Sequence, residues 1–172
     1  EDKPTLIYYQ PVDFWHKITA LEESYWGEFF NIKILKQARD VDKLLPYDKK
    51  GFAYIGSHIE VATALGFDVI NPEPLLNYFH YHRAYKTPYE QTCLRHSNTL
   101  AVKAHQAAKS AFFNGDTEYD IQNAYLSAIG YSTNETPYGN IIALNKNCSI
   151  LHYMALEKSP PQVHQSFLID AG

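Results

Sequence analysis

Thr87-Pro88-Tyr89-Glu90 and, further along, Asn114-Gly115-Asp116-Thr117-Glu118-Tyr119-Asp120 frame the stretch whose reading decides the fold. The first tetrapeptide is a capping box. The Thr87 hydroxyl can accept from the backbone N–H of Glu90, the Glu90 carboxylate can reach back, and Pro88 suits the first helical position because its missing N–H would be unpaired there anyway. The helix that starts there is predicted to run to about Phe113. Ala101, Ala104, Ala108, Ala111 and Phe112 recur on one face, small enough for close packing, and Asn114-Gly115 ends it. Thr117 with Asp120 opens a second helix in the same way, carrying Ile121, Ala124, Tyr125 and Ala128 on one side. The expectation is a helix pair joined by a tight Asn-Gly-Asp turn.

Downstream of Gly130 three β-branched and apolar runs follow, 141–144, 149–153 and 166–170, separated by Asn/Lys and Pro/Gln/Ser segments. Two helices followed by an antiparallel-looking sheet is an α+β arrangement. Upstream the pattern alternates. Strands are predicted at 5–10, 32–35 and 52–55, a short helix around Val41–Leu45, another over Ile59–Leu65 stopped by Gly66, and a helix through Pro74–Tyr85. That order reads as an α/β layer domain over residues 1–86, with the boundary at Lys86-Thr87 and an α+β region over 87–172. The aromatic cluster Phe14, Trp15, Tyr25, Trp26, Phe29 and Phe30 is assigned to core packing.

Composition fits a folded globular protein: 45% of residues are hydrophobic and 20% charged. The net charge of −4, from 15 basic and 19 acidic residues, comes without a dense Lys/Arg run, so a nucleic-acid partner is not expected. No apolar stretch approaches a membrane span, and residues 1–4 carry no secretory pattern. The chain therefore reads as cytoplasmic, with no membrane partner. Cys93 and Cys148 lie in a predicted helix and a predicted strand, without Cys-x-x-Cys spacing, and read as reduced core residues. The lack of an initiator Met and the strand-like run 166–170 at the other end give the expectation of a fragment.

Three residues could carry chemistry. Asp170 ends an apolar strand, where a buried charge is costly unless it is paired or bound to a metal. Spacing alone favours the plainer reading, a strand-end Asp capping the turn formed with Ala171 and Gly172. His152, preceded by Leu151 in a predicted strand, is expected to face a cleft or the core, as a satisfied core histidine or as a functional one. Tyr138, in the turn Thr136-Pro137-Tyr138-Gly139-Asn140, could donate to a substrate carbonyl. No pair of the eight histidines has the i, i+4 spacing of a helical metal site, and His16, His58, His96, His105 and His164 are expected at the surface or in interfaces. Walker, Gly-x-Gly-x-x-Gly and Gly-x-Ser-x-Gly motifs are missing, which removes several enzyme classes.

The runs Thr136–Asn145, Ile150–Tyr153 and Ser166–Gly172, together with Tyr78–Lys86 and Pro11–His16 upstream, resemble the bacterial prolidases of the "pita-bread" metallopeptidase family, and the likeness covers essentially the whole chain. Among them it is most similar to the marine enzymes also called organophosphorus acid anhydrolases. The resemblance implies a partial N-terminal α/β domain over 1–86 and the first half of a pita-bread (creatinase/aminopeptidase-like) catalytic domain over 87–172. It implies that the parent protein is a cytoplasmic Xaa-Pro dipeptidase and homodimer with two Mn2+ per complete subunit, acting on dipeptides with C-terminal proline and with possible side activity on organophosphorus esters. By the same resemblance Asp170 is a metal ligand, the other ligands lie beyond Gly172, Leu151 and His152 line the pocket at the dipeptide's carboxylate end, and Tyr138 borders its acyl side. The chain by itself is then expected to be inactive, with no complete catalytic set. An aminopeptidase P-like hydrolase and a non-catalytic pita-bread peptide-binding protein are the alternatives the resemblance leaves open. Two places depart from the family pattern: the helix reads Leu94-Arg95-His96-Ser97-Asn98 where relatives usually carry an acidic residue after the Arg, and Met154 follows the Leu-His-Tyr run.

Overall fold

The computed structural model describes residues 3–15 and 24–172. The chain divides into two compact units, Glu1–Ala84 and Tyr85–Gly172.

In the first unit, strand β1 (Thr5–Tyr9) pairs in parallel with β2 (Asn31–Leu35), Thr5 facing Asn31 and Tyr9 facing Leu35. A second parallel pair joins β3 (Ala53–Tyr54) to β4 (Val69–Ile70) through helix α1 (Ile59–Ala64). Parallel neighbours need such a crossover, so this is a miniature βαβ unit. Asn71 closes it from the left-handed region at φ +48°: its side chain accepts from the Gly56 N–H and donates to the Gly56 carbonyl, each at 2.9 Å. Helix α2 (Glu73–Ala84) ends the unit. Two expectations change here. The segment expected as a helix near Val41–Leu45 is a 3-10 helix, Ala38–Leu44. The aromatic cluster is not a core: Phe14 and Trp15 are 89% and 85% exposed, Tyr25 and Phe29 are also exposed, and only Trp26 and Phe30 are partly covered, Trp26 lying against the rings of Tyr8 and Phe30. Strands of two to five residues supply, among the described residues, no facing layer to cover the rest. His16 lies outside the described residues.

The second unit follows its caps. Helix α3 (Pro88–Asn114) begins with both capping-box bonds in place, the Glu90 N–H donating to the Thr87 hydroxyl at 3.2 Å and the Thr87 N–H to the Glu90 carboxylate at 2.7 Å. It ends at Gly115, φ +83°, where the N–H groups of Gly115 and Asp116 return to the carbonyls of Phe112 and Ala111. Only glycine takes that left-handed position without a steric cost. Helix α4 (Glu118–Ile129), capped by Thr117, folds back on α3. The small-residue face does what its spacing implies: Ala104, Ala108 and Ala111 are buried against Ile121, Tyr125 and Leu126. Ala128, expected on the packed side of α4, is exposed.

Strand β5 (Ile141–Leu144) lays Ile142 and Leu144 into the same core and pairs antiparallel with β6 (Phe167–Asp170), Ile141 opposite Asp170 and Leu144 opposite Phe167. Phe167 stacks on Phe112 at 5.1 Å between centroids. Burying Ile121 and Ile142 completely contributes roughly 1.5–3 kcal/mol each.

The third expected strand, 149–153, does not form. Asn145 turns the chain at φ +50°, a 3-10 helix runs from Asn145 to Ser149, and Ile150–Leu156 is loop. Apolar alternation cannot distinguish a strand from a loop whose apolar residues stay outside, and the described edge of β5 is paired with β6. His152 is accordingly exposed rather than facing core or cleft, and Leu151 is 86% exposed. The cysteines are not core residues either: Cys93 is exposed, and Cys148 is half-buried in the 3-10 helix, its thiol 3.3 Å from the Ala143 carbonyl. His105 and His164, expected at the surface or in interfaces, are half-buried, His105 with Nε2 3.3 Å from the Ala171 carbonyl and His164 with Nε2 2.9 Å from that of Asp116.

Candidate functional site

The register of β5 against β6 assembles one half of the candidate site. Because Ile141 faces Asp170, the turn immediately before β5 lies at the end of β6. The turn is fastened on both sides. Its Asn140 is buried, with Nδ2 donating to Gln122 of α4 at 3.1 Å, while the Thr136 hydroxyl lies 2.9 Å from the carbonyl oxygens of both Thr133 and Tyr138. Tyr138 then reaches across, its Oη donating to Oδ1 of Asp170 at 2.9 Å. That bond, followed by desolvation and by the Asp170 charge, holds the phenol above its ordinary pKa. Gly172 closes against the same turn. A Cβ there would stand 2.8 Å from Pro137 Cγ, so that one of the two would have to shift, and a tight 3.2 Å from the Tyr138 ring.

Asp170 is exposed and not buried in an apolar setting, so the cost that first singled it out does not arise. An exposed carboxylate at a strand end, oriented by a phenol, suits a hard divalent cation as one oxygen donor. Among the described residues no group of three or more His, Cys, Asp and Glu side chains converges to hold a metal, and Asp170 alone does not make a site.

The other half is the segment Asn145–Glu157, which carries Leu151 and His152. It approaches the Tyr138 turn through Met154, whose Cε would lie 2.9 Å from a Cβ at Gly139. What organises it is a residue that spacing did not single out. Glu118, at the first turn of α4, is 1% exposed, and its carboxylate accepts four hydrogen bonds. Oε1 takes the Leu144 N–H at 2.7 Å and Asn147 Nδ2 at 2.9 Å, and Oε2 takes Tyr153 Oη at 2.5 Å and the Glu157 N–H at 2.8 Å. Burial pushes this carboxyl up, but the bonds from Tyr153, Asn147, Glu157 and Leu144 outweigh it and hold Glu118 below the usual carboxylate range. Tyr153 moves the other way, raised by burial and by its bond to Glu118. The backbone adds a return contact, the Tyr119 N–H donating to the Glu157 carbonyl at 3.2 Å, which satisfies one of the open donors at the start of α4. A cavity of about 480 Å3, walled by Glu118, Asn147, Glu157 and Pro161, opens beside this knot.

The structure thus brings Tyr138 and Asp170 into contact and sets Leu151 and His152 on a neighbouring exposed loop. Glu118 and Tyr153 were missed. A Glu just after a helix N-cap is ordinarily an exposed partner of the helix dipole, so nothing local in the sequence marks Glu118 as buried.

Comparison with known proteins fits both units. Residues 1–81 match the family model "Xaa-Pro dipeptidase, N-terminal domain", and residues 92–172 match "Metallopeptidase family M24". The chain is 81% identical over 172 residues to an Xaa-Pro dipeptidase of Colwellia psychrerythraea, 61% over 171 residues to one of Pseudoalteromonas haloplanktis, and 54% over 171 residues to one of Shewanella denitrificans. It is covered over 99–100% of its own length and spans 39% of the length of each of these relatives.

Proposed function

Since the chain belongs to metallopeptidase family M24 and carries the N-terminal domain of the Xaa-Pro dipeptidases, we propose that the whole protein is an Xaa-Pro dipeptidase, hydrolysing dipeptides that end in proline. The observation that carries this reading is the 81% identity to such an enzyme over all 172 residues.

Residues 87–172 are proposed as the first half of a pita-bread catalytic domain, with Asp170 as one ligand of a two-manganese centre whose remaining ligands follow Gly172 in the whole protein. When bound, such ions supply Lewis-acid polarisation of the scissile carbonyl and a water made nucleophilic at neutral pH. Asp170 contributes negative charge and an oxygen donor, and Tyr138, hydrogen-bonded to it at 2.9 Å, fixes that carboxylate and borders the acyl side of the substrate. His152 is proposed to donate an imidazole N–H to the dipeptide's terminal carboxylate, and Leu151, whose side chain is almost fully exposed, to offer apolar surface to the pyrrolidine ring. The Xaa-Pro bond is a tertiary amide without an N–H, so a pocket shaped for the ring needs no acceptor opposite that nitrogen. The whole protein is proposed to act as a cytoplasmic homodimer; among the described residues no helix is long and apolar enough to cross a membrane.

The test is hydrolysis of an Xaa-Pro dipeptide and of an Xaa-Pro-Xaa tripeptide by the whole protein with manganese. The dipeptide is expected to be strongly preferred, and preference for the tripeptide would overturn the assignment. Asp170→Asn in the whole protein is expected to reduce kcat by at least about a thousandfold, as removal of a metal ligand should. The 172-residue chain alone, with manganese added, is expected to release no proline.

A further inference from the structure

The connection between β5 and β6 is long, and its exposed part carries both residues proposed to meet the proline end of the substrate. A long loop that must present two side chains in one place needs fixed points, because every unpinned residue adds conformations that binding must remove. Asn145 is tied to Val163, Gln165 and Ser166, and four further fixed points converge on one atom group. The start of the segment is held where the Leu144 N–H and the Asn147 amide meet Oε1 of Glu118; its middle is held by the Tyr153 hydroxyl, and its end by the Glu157 N–H, both on Oε2. The Tyr153 ring is buried, 6% exposed, with its hydroxyl also 3.0 Å from Asn147 Nδ2. His152 is the residue next to it, one peptide unit of about 3.8 Å between Cα atoms away from an anchored neighbour.

A carboxylate is the side chain that fits four donors, since it only accepts, with about four lone-pair sites. Glutamine in the same place would turn an NH2 group toward two of them. Local stability of the helix does not rest on the arrangement alone: α4 has its own cap in Thr117, and the α3–α4 core is built on Ala104, Ala108, Ile121 and Tyr125, to which the loop adds Leu156.

We propose that Glu118, acting through Tyr153, is the positioning residue of the substrate loop, holding Asn145–Glu157 so that Leu151 and His152 are presented in a fixed place to the proline end of the dipeptide. This rests on the assignment of His152 to substrate binding made above.

The experiment uses the whole protein with manganese and an Xaa-Pro dipeptide, comparing Tyr153→Phe, Glu118→Gln, His152→Ala and the Tyr153→Phe/His152→Ala double variant, with circular dichroism to establish that each is folded. Tyr153→Phe keeps the ring in its pocket and removes one bond to the carboxylate, so it remains informative even if Glu118→Gln fails to fold. The expected result is a KM raised roughly fivefold to tenfold in Tyr153→Phe with kcat changed less than about twofold, the pattern of lost uniform binding. In the double variant KM should rise by clearly less than the product of the two single effects, because the part of the positioning effect exerted on His152 disappears with that side chain and only the part on Leu151 remains. A purely structural role would lower melting temperature and kcat per total protein while leaving KM of the folded fraction unchanged, and that result overturns the proposal. If His152→Ala raises KM and Tyr153→Phe does not, positioning fails and the substrate-loop assignment stands. If His152→Ala leaves KM unchanged, the assignment of His152 fails, and this proposal with it.

Discussion

The two halves of the candidate site are held by different physics. Tyr138 and Asp170 stand at the ends of a strand pair, where a backbone ladder and a shared hydrophobic core fix the register, and a one-residue slip would turn every side chain of β6 to the other face. Leu151 and His152 stand on a loop with no ladder, held by two backbone and two side-chain donors that meet at a single buried carboxylate. The first half spreads its stability over many small contacts. The second concentrates it in Glu118. A distributed half should lose register only when its core is broken, whereas a concentrated half should loosen when one residue changes.

The core substitution Ile142→Ala should have the largest effect. Ile142 is fully buried in β5, and removing its side chain is expected to cost about 4 kcal/mol in urea denaturation of the chain, by lost transfer energy and the cavity left behind. Glu118→Ala should come next, at about 3 kcal/mol, since it strands four donors that water must reach or leave unpaired. Amide exchange then sharpens the comparison. Glu118→Ala should accelerate exchange across 145–157 while β5 and β6 stay protected, and equal acceleration in both would show that the halves are not separable.

Acid should imitate that variant. The Glu118 carboxyl is held below its ordinary range in the folded chain, so the unfolded chain takes up the proton first as pH falls. The contribution of Glu118 is therefore fully present above the usual carboxylate range and lost as pH drops through its depressed folded value. In Glu118→Gln this part of the acid dependence of stability should be missing. Thr117→Ala removes the cap whose hydroxyl accepts the Asp120 N–H at 3.0 Å and is expected to cost about 1 kcal/mol, measured by thermal melting. His152→Ala, at an exposed position, should change stability by less than about 0.5 kcal/mol, so any effect on KM would report binding alone.

Much of the second unit was legible because helix ends are local devices. Thr87 with Glu90, Thr117 with Asp120, and Gly115 each satisfy backbone groups within a few residues, and the structure places each as the spacing implied. The strand 166–170 was legible for a similar reason, as was 141–144, since β-branched runs bounded by turn residues have few other uses. The run 149–153 looked the same and was not a strand. In the first unit, aromatic content was read as burial, but a ring identifies only surface that is worth covering and does not show that anything covers it.

By itself, then, the sequence determined the caps, the helix pair with its alanine face, the strand ends and, through whole-chain likeness, the family. Only the tertiary structure decided that Tyr138 touches Asp170, that His105 meets the Ala171 carbonyl, and that Glu118 is a buried acceptor. The physical reason is range. A cap closes its hydrogen bond within three residues, whereas the donors that make a buried charge affordable at Glu118 lie 26 to 39 positions away, where no periodicity or propensity reaches and only the folded chain brings them together.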